Sequence, residues 1–536
     1  MEEDPPIHNR LLDSFSLFLD RVGDIVQTKR ISFLGYGSDI VAQRCKQAIY
    51  NREWKNYNCN FDPRTGLSQT AITIKKNTIR VSARVIWAGV ARFVRQWIRI
   101  SYAILRTFRT NPNTEWQNRS FTVLQCFGSE PLVNSETQFW EFIRSKYLNA
   151  LELDPCTLIV YGRFSEGPSA NRNFFRARHV LEAVLRINPP PSTREFLSLM
   201  TLQVRSLISF FATLKTFPLV CLLHEDFSLH ALMHYLNNRK LISFWIIDNS
   251  SLMQQPLPVT NLPDRHFNTG IVFYSINNRF HLFSDKFSEA VFLAWKYLVL
   301  DFGYAWDLDQ ALWLRKNTGI KFITISGPML YRLPPATHEL NSKTRQKFEV
   351  VIFDNTIASA EHHAENWGKY SAPYNYTTGE MAISFLRDIV ESLASISRLS
   401  DAYKFRIRIK VKRRESSKFS IWQSLLPKQL RSSRNLLESK YQTVVNSYLL
   451  SGRMGNVDAD QDLYDLIGAS DLVISIPYTS INFMAEQIGV ASVFYDPTGR
   501  LVNNFSMGQQ MSFVQGRPAL EKYLLTALNK WSGLQE

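Results

Sequence analysis

Residues Ser470 to Gly499 read SDLVISIPYTSINFMAEQIGVASVFYDPTG, and this stretch decides the fold. Leu472-Val473-Ile474-Ser475-Ile476 is a short apolar run halted by Pro477, the pattern of a strand buried on both faces. Thr479 and Ser480 supply hydroxyls where a helix over Ile481–Ile488 begins, and Gly489 closes that helix as a C-cap. Val493-Phe494-Tyr495 returns as the next strand. Strand, tight turn, helix and strand make one unit of a parallel α/β sheet. A helix start at the carboxyl edge of such a sheet suits phosphate, because free amide groups and the helix dipole both point at the anion. The same Thr and Ser also fit a plain N-cap.

Working outward, the alternation of strands and helices falls into two blocks. From Leu219 the rhythm is regular: strands at Leu219–Leu223, Ile242–Ile247, Gly270–Ile276 and Lys321–Ser326, with a helix at Phe227–Asn237. Helices are expected near Asn173–Leu185 and Ser192–Leu214, separated by the Pro189-Pro190-Pro191 breaker, and a strand at Thr157–Tyr161. Leu330–Lys347, with Pro334-Pro335, reads as a linker. A second series starts at Phe348–Phe353 and continues with a helix at Gly379–Leu393 and a strand at Phe405–Val411. Pro518–Trp531 is a terminal helix. The expected fold class is α/β: two doubly wound, Rossmann-like domains facing across a cleft. Residues 1–340 form the first domain, 341–512 the second, and 513–536 the terminal helix.

A chain of 536 residues is too long for one core. Its 45% hydrophobic and 20% charged content describes a folded protein. Five scattered cysteines without a Cys-x-x-Cys spacing point to reduced thiols in a cytoplasm and exclude a disulfide framework or cysteine zinc site. The acidic, polar opening Met1–Pro6 is unlike a signal peptide. No run of 18 apolar residues is free of charge, so no membrane-spanning helix is expected. His362-His363 with Glu361 and Glu365 reads as surface, since adjacent loop residues rarely chelate together. Gly35-Tyr36-Gly37 is a fragment of a dinucleotide fingerprint and carries little.

The net charge of +15 asks for an anionic partner. Its distribution singles out residues 78–110. Pro63 to Thr114 contains no Asp or Glu, while Arg80, Arg84, Arg92, Arg95, Arg99, Arg106 and Arg109 accumulate. On a helix of about 100° per residue the arginines share one side, and Ile86, Val90, Phe93, Trp97, Ile100, Ile104 and Phe108 the other. That pattern predicts an interfacial helix on an anionic membrane surface, the alternatives being a solvated basic face over a packed helix or an acidic partner. Nucleic acid is not expected, because the aromatic residues oppose the arginines instead of interleaving with them.

Pro477-Tyr478-Thr479-Ser480, followed by Tyr495-Asp496-Pro497-Thr498-Gly499, resembles the signature of a bacterial surface-polysaccharide biosynthesis family named for its Pro-Phe-Thr-Ser motif, with Tyr478 in place of Phe. The resemblance covers the last third of the chain and, more loosely, Leu219 to Asn277. It implies a glycosyltransferase of the GT-B type. The substrates implied are a nucleotide-sugar donor and a glycan or lipid-linked acceptor. No cofactor or metal is implied, and the terminal helix would cross back to the first domain. Such an enzyme is expected at the cytoplasmic face of the inner membrane, in O-antigen or capsule synthesis.

Ligands of doubly wound sheets bind at the carboxyl ends of strands. In the second domain those ends offer Ser475, Asp354, Lys410 and Lys412, the lysines suiting a nucleotide phosphate. Thr479 and Ser480 are the phosphate contacts, and the resemblance implies a ribose contact for Glu486. Asp496 fits a turn. In the first domain, His224-Glu225-Asp226 follows an expected strand, where a general base for an acceptor hydroxyl belongs; Asp226 also fits a helix N-cap. The triplet is similar to the Asp/Glu-Asp/Glu-Gly motif of GT-B sialyltransferases, with Phe227 where glycine is expected, and no histidine precedes a proline; a CMP-linked donor is one option among several. Tyr274–Asn277 is placed on the acceptor side. A nucleotide-sugar epimerase and a non-catalytic scaffold of a polysaccharide assembly complex are the alternative functions.

Overall fold

The structure is a computed structural model that describes residues 30–31, 69–74, 77–107, 120–125, 157–161, 167–168, 174–177, 179–216, 218–248, 265–273, 298, 300–326, 347–354, 379–399, 404–410, 440–457, 461–477, 479–501 and 512–533. Gly35-Tyr36-Gly37, Tyr274–Asn277, His362-His363 and Lys412 lie outside them. The chain divides into two units, Met1–Tyr274 with Leu293–Tyr331, and Ser275–Phe292 with Arg332–Glu536.

In the first unit β1 (Arg30–Ile31), β2 (Gln69–Ile74) and β3 (Asn77–Ser82) form a small sheet in the order β1-β3-β2. A long helix α1 (Ala83–Thr107) follows. Next come β4 (Phe121–Gln125), β5 (Thr157–Tyr161), β6 (Gly167–Pro168) and β7 (Phe174–Ala177), then the helices α2 (Val180–Ile187), α3 (Thr193–Thr216) and α4 (His224–Asn238). The unit continues with β8 (Ile242–Asp248), β9 (Asn268–Val272), β10 (Phe302–Ala305), α5 (Leu308–Asn317) and β11 (Phe322–Ile325). Its eight-stranded sheet has the order β11-β10-β9-β8-β4-β5-β7-β6, parallel except for β6 against β7. The chain winds outward from β4 to β7, then resumes on the other side of β4 at β8. That reversal is the mark of a doubly wound sheet.

The second unit contains β12 (Phe348–Phe353), α6 (Gly379–Ser397), β13 (Phe405–Lys410), helical residues 440–450, β14 (Gly455–Asn456), α7 (Leu463–Gly468), β15 (Leu472–Ser475), α8 (Ile481–Gln487), β16 (Ala491–Asp496), β17 (Ser512–Gln515) and α9 (Arg517–Ser532). Its six strands are all parallel, in the order β14-β13-β12-β15-β16-β17. Every residue of β12 and of β15 is buried, as strands covered by helices on both faces require. The one acid in β12, Glu349, is neutralised by Arg406 and Arg408 of β13, each 3.4 Å away.

Two expectations change. Leu219–Leu223 is not a strand but part of a 3-10 helix, Pro218–Leu223. Its side chains at 219, 220, 221 and 223 are fully buried, which accounts for the apolar run. This segment passes so close to α1 that a Cβ on Gly89 would lie 2.4 Å from the Cys221 carbonyl oxygen. Burial also pushes the Cys221 thiol up to about 12, leaving it an inert core residue. The region expected as one helix at Asn173–Leu185 is strand β7 followed by α2. Within the second unit, Arg517 of the terminal helix α9 pairs with Glu391 of α6 at 2.6 Å, and Trp531 meets Phe348 edge-on.

The apolar face of the basic helix is also placed differently. Phe93, Ile100 and Ile104 of α1 are fully buried. Phe93 stacks on Phe210 of α3 with ring centroids 3.8 Å apart, and the Trp97 indole donates to the Gln203 carbonyl at 2.9 Å. Arg99 pairs with Glu182 of α2 at 2.9 Å. Of the face expected at a membrane, Phe93, Ile100 and Ile104 are thus core and Ile86, Val90 and Trp97 are half-buried, while Phe108 lies outside the described residues. Among the described residues one stretch, Thr193–Lys215 of α3, is long and apolar enough to cross a bilayer, with mean hydropathy 1.4.

Candidate functional site

The strand order of the second unit reverses between β12 and β15, so the crevice that such sheets offer a ligand opens at the carboxyl ends of those two strands. Four strands share a rung there, the last of β13, β12 and β15. Lys410, Phe353, Ser475 and Phe494 are in register across β13, β12, β15 and β16. With strands about 4.8 Å apart, Lys410 and Ser475 stand about 10 Å apart. Asp354 follows β12, and Pro477, Thr479 and Ser480 follow β15, so these residues of the sequence motif lie at this edge.

The turn after β15 is built by hydroxyls. Ser475 is fully buried; its Oγ lies 2.7 Å from the Thr479 Oγ1 and 2.6 Å from the Asn482 Oδ1 in the first turn of α8. Asn482 Oδ1 can only accept, so Ser475 donates to it, and Thr479 in turn donates to Ser475. Thr479 is buried with its proton directed inward, while Ser480 is half-buried. Ser480 occupies the N-cap position with helical backbone angles and makes no side-chain cap. The expected hydroxyl capping is thus absent: Thr479 ties the turn to the strand instead, and Ser480 keeps its hydroxyl for the surface. The fully buried Asn482 has a side-chain nitrogen with no hydrogen-bond partner. Its position three residues after Thr479, facing the strand end, is the signal that sequence reasoning missed.

Beyond this turn the helix ends as expected. Gly489 has φ +75°, and the Gly489 and Val490 amides donate to the Glu486 and Ala485 carbonyls at 3.1 and 2.9 Å, a Schellman motif.

Lys410 is buried at the rung and its Nζ donates to the Gln461 carbonyl at 3.3 Å. Asp354 is also buried and accepts from the Tyr441 hydroxyl at 2.8 Å. Glu486 sits one turn beyond Asn482 as an exposed residue, with partial burial of its carboxyl pushing it above the usual range. Asp496 is fully buried and accepts from the Thr498 and Leu501 amides, both at 2.9 Å, and from the Thr498 hydroxyl at 2.6 Å. It has the turn-building role expected of it. The edge thus brings together Ser475, Thr479, Asn482, Asp354 and Lys410, with Ser480 beside them.

In the first unit His224, Glu225 and Asp226 open α4 directly after the 3-10 turn instead of following a sheet strand. Glu225 is exposed, Asp226 is buried, and the Glu225 amide donates to the His224 Nδ1 at 2.8 Å. Of the two acids only Glu225 is exposed. No cluster of three metal-ligating side chains occurs among the described residues.

Several solved structures are similar. TarM matches at 12% identity and TM-score 0.34 over 58% of this chain and 53% of its own, so the chain spans about half of TarM. The wall teichoic acid polymerase TagF matches at 10% identity and TM-score 0.36 over 84% of this chain and 90% of its own. An α,α-trehalose-phosphate synthase (UDP-forming) from Burkholderia vietnamiensis matches at 11% identity and TM-score 0.41 over 78% and 93%. No curated protein sequence matches the chain. The model of the polysaccharide biosynthesis PFTS motif proteins matches residues 205–524, and the chain belongs to that family.

Proposed function

We propose that the protein is a glycosyltransferase that moves a sugar from a nucleotide-sugar donor to a glycan or lipid-linked acceptor in surface-polysaccharide synthesis. One observation carries this reading: the family's Thr-Ser pair, the buried Lys410 and Asp354 all stand where the second sheet reverses direction. The donor's phosphate belongs at this edge, on Ser480 and Thr479 with the cationic Lys410 behind them. A departing nucleotide gathers negative charge on that phosphate. Donors fixed before the reaction stabilise such charge without reorganising, and binding the sugar in place removes the entropy cost of encounter. Glu486 would accept from the ribose. Glu225 would accept the proton of the acceptor hydroxyl, because its carboxylate is exposed and that of Asp226 is not.

The test is nucleotide binding followed by turnover. A thermal-shift panel of CMP, UDP, GDP and ADP identifies the base. The Thr479→Ala, Ser480→Ala double variant should bind the chosen nucleotide at least about tenfold more weakly, roughly 1.4 kcal/mol. Unchanged affinity by calorimetry would remove the phosphate role. Nucleotide release that requires an acceptor glycan supports transfer; release without one would indicate an epimerase.

A further inference from the structure

Packing α1 on the fold buries one apolar face but leaves another outside. Trp87, Ile98, Tyr102 and Leu105 of α1 are 51% to 69% exposed. On the neighbouring α3, Leu197, Val204, Ile208 and Phe211 are 42% to 62% exposed. These two helices hold most of the large exposed apolar side chains among the described residues.

The two stripes share one groove. Phe93 against Phe210 and Trp97 against Gln203 make the helices antiparallel, which sets Ile98 level with Val204 and Leu105 level with Leu197. At about 100° per residue, the exposed stripe of α1 lies about 120–180° from Phe93, turning past Trp97 and so past α3. By the same measure the stripe of α3 lies about 80–140° from Gln203, turning past Phe211, whose ring meets Phe93 edge-on at 6.1 Å. Both stripes therefore open outward on either side of the same seam. A concavity of about 540 Å³ runs beside Trp87, Val94 and Ile98.

Each stripe ends on an arginine. Arg95 follows that of α1 and Arg205 that of α3, both exposed and on the flanks away from the seam. Residues 83–107 contain five arginines and no acid; α3 adds Arg194, Arg205 and Lys215 against Glu195 alone. The surface is an apolar valley between two cationic rims.

We propose that this surface docks the protein on an anionic lipid bilayer, with α1 and α3 lying in the headgroup plane. Apolar side chains gain by entering the acyl boundary, and arginines gain from lipid phosphates beside it. A second copy would set cationic rims against each other, and nucleic acid has no use for the apolar floor. At 23 residues the apolar stretch of α3 is about 35 Å long. Its inner side, with Leu199, Gln203 and Phe210 buried, is committed to the fold, so it lies on the bilayer and does not cross it.

The experiment is flotation of the full chain with phosphatidylcholine vesicles, with and without phosphatidylglycerol. The protein should float with the anionic vesicles and much less with neutral ones, and added salt should weaken the binding. Ile98→Glu with Ile208→Glu should reduce partition by about tenfold or more. Its unfolding transition should stay unchanged, because both side chains are exposed. Arg95→Gln with Arg205→Gln should reduce binding to anionic vesicles only. Failure of the wild-type chain to float would overturn the proposal, as would undiminished flotation of the glutamate variant. So would a solution dimer that the glutamate variant dissociates, which would give the face to a second copy.

Discussion

Asn482 places its side-chain oxygen 2.6 Å from the Ser475 hydroxyl while its fully buried side-chain nitrogen has no hydrogen-bond partner. A buried donor left unpaired costs about 1–3 kcal/mol. Turning the amide by half a revolution lets the nitrogen donate to Ser475, Ser475 donate to Thr479, and Thr479 donate outward. The three groups would then form a relay with two directions, and the phosphate proposed at Thr479 would select the second. Asn482→Asp leaves only an acceptor and fixes the inward direction at neutral pH. Nucleotide affinity should then fall by more than about tenfold, or 1.4 kcal/mol. Calorimetry showing no loss would refute the relay.

Ser475→Ala removes the middle of the relay and leaves both neighbours short of a partner. Stability of the second unit should drop by about 1–3 kcal/mol. Urea unfolding followed by circular dichroism measures it, and a drop under about 0.5 kcal/mol would show that the hydroxyls are independent.

Gly89→Ala would ordinarily stabilise a helix by about 1 kcal/mol. Here the new Cβ meets the Cys221 carbonyl oxygen at 2.4 Å, and backbone must move. Overpacking of this kind costs about 1–3 kcal/mol or more, so the variant should be less stable than the parent in thermal melts.

Asp301 gives the first unit an acid limit. Burial alone would raise its carboxyl. The hydrogen bond from Lys321, the Thr269 amide, the Arg265 charge and the Thr269 hydroxyl together outweigh burial and hold it below the ordinary 3.8. Lys321 and the Thr269 amide donate at 2.9 Å each. The folded value lies below the unfolded one, so the stabilisation is complete above pH 3.8 and fades as pH falls through the lower folded value. Asp301→Asn should destabilise by about 2–3 kcal/mol at neutral pH and flatten this acid limb. A parallel acid limb in the variant would show that other groups cause it.

The second unit was the more legible of the two. Its strands β12 and β15 are buried along their whole length, and burial of that kind writes itself as apolar runs, while β13 alternates Phe, Ile and Ile with Arg406, Arg408 and Lys410. Apolar character does not distinguish a strand from a turn of buried helix. Leu219–Leu223 was misread for that reason, since what buries it is the close pass of α1 at Gly89. Periodicity likewise divides α1 into basic and apolar sides, but cannot tell that Phe93 and Trp97 face the fold while Trp87 and Ile98 do not. Within the site, Thr479 and Ser480 were visible as hydroxyls at a turn. Asn482 was not, because its role depends on Ser475, seven residues earlier, lying within hydrogen-bond reach.

The rung Lys410–Phe353–Ser475–Phe494 joins two halves of a sheet that are built from separate stretches of chain, 348–457 and 461–515. A molecule bridging that seam would clamp both stretches at once. Amide hydrogen exchange should therefore slow on either side of β12 together when nucleotide is added, and a footprint confined to one side would mean that the ligand sits elsewhere.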